Sequence, residues 1–349
     1  MNRSWQQALL DELQQRRILE QDEGMRLQAG QAAPWYMTAL SGFAAWFAAL
    51  MLLAAWVMSL GSGPLPNLFA GVLLLLTAIG LLRGSGAFVP QLGLAFSMLG
   101  QALLVFFSAE LQQMDFLRLP ALVALLVAIG MLLVPAGSGH RFVCALAAML
   151  GLVLLFDSYF LLSIQAVVLA ALAVWLWLRR AHWAHLPQAG MIRAVAGAAT
   201  LVAMASGIIG QPSMGGLRWI LALEGDNAGW LAWLYPLGAT LVLLATLVWL
   251  TSAVQWPVRL GALAGVLVLA ALSSPAPGLL IAAALWLAVF HACDRLWSVL
   301  VGVGVAFYLS DLYYSLHITL LVKSILLVAS GLLLLALRQW LVMPLRRAE

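Results

Sequence analysis

Long uninterrupted runs of apolar residues restrict the fold of this chain more than any other feature. A helix needs about 20 apolar residues to cross the roughly 30 Å of hydrocarbon in a bilayer. The runs lack the alternation that is typical of barrel strands. Charged residues make up only 9% of the sequence, whereas a soluble domain carries about 25%. The sequence therefore predicts an all-α integral membrane protein and argues against a soluble or secreted enzyme.

Twelve apolar segments are candidates for membrane spans. They cover residues 36–60, 65–82, 88–108, 118–135, 141–156, 160–178, 190–210, 228–251, 258–273, 276–292, 295–310 and 316–343. Because several segments are short, a count of ten or eleven spans stays open. Residues 1–34 precede the first span with an amphipathic pattern, which predicts a helical segment on the cytoplasmic membrane surface or on a partner.

The positions of the arginines favour twelve spans with both termini in the cytoplasm. Cytoplasmic loops of membrane proteins are rich in Lys and Arg. With this span count, fourteen of the sixteen arginines fall on the cytoplasmic side, and Arg118 and Arg218 are the exceptions. The net charge of +4 does not indicate nucleic-acid binding, since no basic cluster with interleaved aromatic residues occurs.

Two segments of the sequence match at an offset of 154 residues. The matching positions are Arg141, Asp157 and Tyr159 in the first copy and Arg295, Asp311 and Tyr313 in the second. Each copy predicts a helix that ends in an acidic and aromatic corner at the outer face, after which a helix returns. The match predicts two parallel six-helix halves, residues 35–180 and 181–345. Such repeats occur in transporters, and they also arise by gene duplication in proteins that transport nothing.

Lys323, the only lysine, lies inside the last predicted span, roughly 10 Å along the helix from its outer end. The spacing of Ser315, Thr319 and Lys323 places the three on one helix face. An ammonium group at this depth is costly. Three interpretations stay open: a ligand or ion-coupling site, a structural ion pair, and a side chain that snorkels to the outer headgroups.

Acidic and aromatic residues collect at the predicted outer face, where they are candidates for binding a ligand or a partner. They are Glu110, Asp157, Tyr159, Asp311, Tyr313 and Tyr314. A negative surface attracts cations or basic segments. Asp157 and Asp311 fit equally well as caps of the helices that follow them.

The sequence offers no starting point for catalysis or metal binding. His182 and His185 have no Cys or carboxylate beside them to complete a metal site. No nucleophile elbow, P-loop or zinc-protease motif occurs, so we expect no catalytic residues, metal or cofactor. Tryptophans near predicted helix ends are expected to be interfacial anchors; they are Trp35, Trp183, Trp219, Trp230, Trp256 and Trp297.

The stretch Asp311-Leu-Tyr-Tyr-Ser-Leu-His-Ile-Thr-Leu-Leu-Val-Lys323-Ser324 resembles the C-terminal signature of a bacterial family of multi-span membrane proteins, known only as a domain of unknown function. The polar start of the chain and Trp35-Tyr36 resemble that family as well, so the likeness covers essentially the whole chain. The resemblance implies a bacterial inner-membrane location and a membrane-anchored partner that carries a Gly-Asp-Tyr-x-x-Leu-x-Tyr motif. It implies no reaction.

Three functions are compatible with these features. The leading hypothesis is a non-enzymatic subunit of an envelope complex, which docks its partner at Asp157, Asp311 and Lys323. The second is a secondary transporter or lipid-handling protein whose halves rock around a site near Lys323. The third is a membrane enzyme that acts on a lipid-linked substrate at the outer leaflet.

Overall fold

The computed structural model describes residues 35–60, 63–84, 88–111, 118–155, 159–209, 233–252, 255–272 and 276–315, with a few single positions outside these ranges, among them Glu12, Gln15, Gly86, Leu321 and Ser324. These ranges contain twelve helices: α1 (Trp35–Leu60), α2 (Pro64–Leu81), α3 (Phe88–Leu111), α4 (Arg118–Leu132), α5 (Ser138–Leu154), α6 (Tyr159–Leu178), α7 (Arg180–Trp183), α8 (Ala189–Ile209), α9 (Leu234–Leu250), α10 (Trp256–Leu272), α11 (Gly278–His291) and α12 (Arg295–Ser315).

Five of these helices are long and apolar enough to cross a membrane: α1, α2, α3, α6 and α8. Five more apolar helices, α4, α5, α9, α10 and α11, are shorter. The described part of the chain is thus all helical and has the composition of a membrane protein, as the sequence predicted. The count of twelve spans and the orientation of the termini stay predictions, and most of the last predicted span lies outside the described residues.

The helix ends follow from local sequence. Pro64 begins α2, where its missing N–H costs nothing because the first N–H groups of a helix have no intrahelical acceptor. A helix C-terminus is also set locally: α11 ends at His291, and the chain then turns through Cys293, which has a φ of 55°. A left-handed residue in this position is a common helix stop, although glycine usually occupies it.

The chain divides into two compact units, residues 1–100 and 101–349. In the first unit α2 and α3 approach closely at Gly100, where a Cβ atom would lie 2.9 Å from the carbonyl oxygen of Gly71. In the second unit α4 and α5 approach in the same way at Gly151, at 2.9 Å from the carbonyl oxygen of Ala121. Small residues at such crossings allow helix backbones to pack directly, as is typical in membranes.

The core of the second unit lies where α6, α8, α9, α11 and α12 meet. Its largest fully buried side chains include Trp177, Leu243, Leu285 and Tyr308, and alanines fill much of the remainder. Because α6 belongs to the first predicted half and α8–α12 to the second, residues of both predicted halves share this core. The division into two six-helix halves itself stays a prediction.

The predicted corner at Asp311 is wrong in the described residues, because α12 continues through it to Ser315. The segment contains no Gly or Pro, so nothing in the local sequence ends the helix there. In the first copy of the proposed repeat, by contrast, α5 ends at Leu154 and α6 begins at Tyr159. Tyr159 therefore starts a helix, whereas the matching Tyr313 lies inside one, and the two copies differ at this point.

Candidate functional site

A buried carboxylate at one end of the second unit is shared by two arginines. Asp294 lies between α11 and α12 and is 5% exposed. Its Oδ2 atom accepts a hydrogen bond from Arg193 Nη2 at 2.8 Å and another from Arg180 Nη1 at 3.4 Å. Arg180 on α7 is 114 residues away in sequence, and Arg193 in the first turns of α8 is 101 residues away. We call these three residues the Asp294 cluster.

Asp294 and Arg180 also complete the turn that joins α11 to α12. The carbonyl oxygen of Asp294 accepts from the backbone N–H and the hydroxyl of Ser298, at 2.9 and 2.8 Å. Aspartate is a favoured residue at this capping position. Arg180 Nη1 donates to the carbonyl oxygen of Ala292 at 2.7 Å, which is one of the carbonyls left open at the end of α11. The cluster therefore fixes where one helix stops and the next begins.

The Asp294 cluster carries a surplus of positive charge, since arginine stays protonated and two guanidinium groups face one carboxylate. The side chains of Arg180 and Arg193 are 33% and 50% exposed, so water or an anion can reach them. A third arginine, Arg141 of α5, reaches the start of α8, where its Nη1 atom is 3.6 Å from the Cβ position of Gly190. This end of the unit can hold helices together and attract anions.

Aromatic rings pack behind the cluster. Trp297 contacts Phe142 and Trp177, with ring centroids 5.9 and 6.0 Å apart. A Cβ atom at Gly197 would overlap the indole of Trp297, so α8 can pass this ring only with a glycine. Trp177 Nε1 donates to the hydroxyl of Thr200 at 3.0 Å. Packing of this kind fixes the orientation of α12 relative to α6 and α8.

Two of the tryptophans predicted to be interfacial anchors are core residues instead. Trp297 is 6% exposed and Trp183 is 7% exposed, and Trp183 Nε1 donates to the carbonyl oxygen of Leu176 at 2.7 Å. Both lie near helix ends, as expected, but neighbouring helices cover them. Trp256, which is 63% exposed, has the exposure that an interfacial anchor requires.

A second buried polar group lies toward the opposite ends of α8 and α12. The hydroxyl of Tyr308 donates to the carbonyl oxygen of Met204 at 2.6 Å. Tyr235, at the start of α9, is 3% exposed, and its hydroxyl lies 2.8 Å from the Cβ position of Gly207. Asp311 follows Tyr308 by three residues, so it shares a helix face with this tyrosine.

The structure brings three of the predicted site residues together on the last turns of α12. Asp311 and Tyr313 are half-buried, whereas Tyr314 is 75% exposed. The rings of Tyr313 and Tyr314 meet edge to face, with centroids 5.3 Å apart. Glu110 is exposed in the last turn of α3.

The remaining predicted site residues are placed only in part. Tyr159 is the first residue of α6 and Ser315 is the last residue of α12. Asp157, Thr319 and Lys323 lie outside the described residues. The three interpretations of Lys323 therefore stay open.

Sequence reasoning missed the Asp294 cluster, although a signal for it was present. Asp294 is the one acidic residue on the predicted cytoplasmic side between residues 24 and 348, among loops rich in arginine. A single carboxylate in such a setting indicates an ion pair. Its partners, Arg180 and Arg193, were interpreted only as topology determinants.

Comparison with curated proteins gives no match, and comparison with solved structures gives none either. The family described as domain of unknown function (DUF4401) matches residues 34–343. The match begins one residue before α1 and includes all twelve described helices. Because the match extends over most of its length, the chain belongs to this family of unknown function.

Proposed function

We propose that this protein is the non-enzymatic, multi-span subunit of a bacterial inner-membrane complex and that it holds a membrane-anchored partner at the outer end of α12. The observation that carries the proposal is the interlocking of α6 and Arg180, from the first predicted half, with helices of the second. A bundle that is fixed in this way suits a scaffold better than a transporter whose halves rock against each other.

Contacts between the predicted halves occur at the Asp294 cluster and also farther along α6. Arg180 in the first half pairs with Asp294 in the second, and Trp177 bonds to Thr200. Farther along α6, the methyl groups of Val167 lie 2.9 Å from the Cβ position of Gly238. A rocking motion would have to separate buried polar partners, and each unpaired group then costs about 1–3 kcal/mol. This cost favours a fixed bundle.

The last turns of α12 offer a surface with the composition of a protein interface. Asp311, Tyr313 and Tyr314 form this surface, which we call the α12 end surface. Tyrosine is enriched at interface centres because it brings a large contact area at a low cost in conformational entropy. The edge-to-face contact between the two rings orients Tyr314 before a partner arrives. The carboxylate of Asp311 suits a basic group on the partner.

The test compares two exposed tyrosines at opposite ends of predicted spans. Tyr314 and Tyr36 are 75% and 58% exposed. The tagged full-length protein is purified from its native host in mild detergent, and co-purifying membrane proteins are quantified by mass spectrometry. We expect a stoichiometric partner with the wild type and with Tyr36→Ala. We expect about a 30-fold loss of affinity for that partner with Tyr314→Ala, as for an interface hot spot of about 2 kcal/mol.

Other outcomes would contradict the proposal. A wild-type protein that purifies without any stoichiometric membrane partner is not a subunit of a stable complex. Loss of uptake of a solute in a deletion strain, together with such a lone protein, would favour the transporter hypothesis instead. Lys323→Ala in the same experiment tests whether the predicted last span contributes to docking.

A further inference from the structure

An open groove of about 450 Å³ runs along the line where α6 and α9 meet in the second unit. Val167 and Ala171 line it on α6, and Gly238 and Ala245 line it on α9. It reaches Leu178 at its far end, so it extends about 16 Å along the helices at 1.5 Å per residue. We call it the α6–α9 groove.

The lining of the α6–α9 groove is almost entirely apolar. Its one hydroxyl belongs to Thr246, which donates to the carbonyl oxygen of Val242 in its own helix at 2.7 Å. Apart from the indole N–H groups of Trp175 and Trp249 at one end, the groove has no side-chain donor to spare for an occupant. An aliphatic chain fits this lining, because it loses no hydrogen bonds on entering.

Basic groups lie at one end of the groove, beside the two tryptophans that line it there. The guanidinium carbon of Arg179 is 5.4 Å from the ring centroid of Trp175. The imidazole of His291 meets the ring of Trp249 edge to face, with centroids 5.2 Å apart. All four side chains are exposed, so a headgroup can reach them.

Arg179 and Arg180 differ in whether a carboxylate pairs with their guanidinium group. Arg180 shares the carboxylate of Asp294. Within the described ranges, Arg179 forms no ion pair with a carboxylate, and its contact is with an aromatic ring. A cation at the end of an apolar groove is complementary to an amphiphile with a negative headgroup. A transmembrane helix of a partner or of a second copy would fill the apolar part of the groove. Such a helix need not carry an anionic group that could pair with Arg179.

We propose that an anionic phospholipid occupies the α6–α9 groove, with one acyl chain along the two helices and its phosphate against Arg179. Trp175 and Trp249 flank the junction between chain and headgroup, where amphipathic rings are favoured. The site lies toward the ends of α6 and α9, away from the α12 end surface along the helices. The binding of lipid is therefore independent of the binding of a partner.

The test uses phosphatidylglycerol and phosphatidylcholine with identical acyl chains, added to the delipidated full-length protein and counted by native mass spectrometry. We expect the wild type to prefer phosphatidylglycerol. We expect Arg179→Gln to weaken its binding about fivefold, as for one basic residue near an anionic headgroup. Ala245→Phe, which fills the groove from an exposed position, should reduce the binding of both lipids.

A matched control is available elsewhere in the chain. Arg259 also lies over a tryptophan ring, 5.6 Å from the centroid of Trp256, but neither residue lines the groove. Arg259→Gln should bind phosphatidylglycerol as the wild type does. If Ala245→Phe does not fold, Ala171→Phe blocks the groove from the opposite helix.

Three results would overturn the proposal. The first is equal retention of the two lipids by the wild type. The second is unchanged binding by Arg179→Gln and by the variant that fills the groove. The third comes from a photoreactive residue in place of Ala171: cross-linking to a polypeptide, whether a partner or a second copy, excludes lipid as the occupant. A mass increase of one phospholipid supports it.

Discussion

Replacing Asp294 by asparagine removes one negative charge and keeps the shape of the side chain. Asparagine caps a helix as well as aspartate does, so the start of α12 keeps its favoured residue type. The substitution leaves Arg180 and Arg193 close together without their shared carboxylate. It therefore isolates what the charge of Asp294 contributes to the free energy of unfolding.

The expected loss follows from the burial of the three groups. Removing one partner of a fully buried ion pair costs about 3–5 kcal/mol. Here the carboxylate is 5% exposed, but the arginine side chains are 33% and 50% exposed. Water screens part of the repulsion between them, so we reduce the expected cost for Asp294→Asn to about 2 kcal/mol.

The two cysteines provide the assay. Cys144 is fully buried in α5, and Cys293 is exposed. In a Cys293→Gly background, a thiol-reactive dye reports unfolding through Cys144 alone. The proportion of unfolded protein is measured as the mole fraction of SDS in mixed micelles is raised. Three proteins are compared: the Cys293→Gly background alone, the background with Asp294→Asn, and the background with Glu110→Gln as a control. Glu110 is exposed, so its substitution should change the free energy of unfolding by less than about 0.5 kcal/mol.

A double variant checks the mechanism. If the loss comes from two uncompensated arginines, adding Arg193→Gln to Asp294→Asn should recover about 1 kcal/mol, because neighbouring charged residues are coupled. A loss below about 0.5 kcal/mol for Asp294→Asn would refute the assignment of a stabilising charge. A full loss with no recovery in the double variant would refute repulsion between the arginines as its cause.

Three further substitutions and one control test the packing of the second unit by thermal unfolding in detergent. Gly197→Ala should destabilise the protein by about 2 kcal/mol or more, because the added methyl group overlaps Trp297. Gly130→Ala is the control, since no atom lies within 4 Å of its Cβ position. It should be neutral or stabilise the protein by up to about 1 kcal/mol. Cys293→Gly should stabilise by about 0.5–1 kcal/mol, since glycine adopts a φ of 55° without strain. Gln165→Leu should stabilise by about 1 kcal/mol, because both polar atoms of this buried amide have no hydrogen-bond partner among the described residues; a lower melting temperature would contradict this.

Much of the helical layout could be predicted from the sequence, because the length of a run of apolar residues depends only on neighbouring positions in the chain. Eleven of the twelve predicted spans overlap a described helix, α1–α6 or α8–α12. Helix ends were less predictable where no Gly or Pro marks them. The repeat predicts a corner at Asp311, where an acidic and aromatic motif follows an apolar run, yet its surroundings continue as helix to Ser315. A charged residue near a membrane surface does not by itself end a helix.

Contacts between distant segments could not be predicted from one sequence. Trp297 and Trp256 both lie at helix starts, and the sequence does not show that one is buried and the other exposed. The difference arises because Gly197 on α8 leaves room for the indole of Trp297. The pairing of Arg193 with Asp294 depends in the same way on how α8 and α12 approach. Periodicity indicates which residues are apolar but not which neighbour covers them.

The sequence separation within the Asp294 cluster has a consequence for how the protein is made. Arg193 leaves the ribosome 101 residues before Asp294. At about 5–20 residues per second, α6 and α8 therefore wait about 5–20 s in the membrane before their shared carboxylate is synthesised. During that interval Arg180, two residues after the end of α6, and Arg193, in the first turns of α8, are held in water by their charge, which opposes any slippage of α6 or α8 into the bilayer. The turn between α11 and α12 then brings Asp294 to the two arginines and completes the Asp294 cluster.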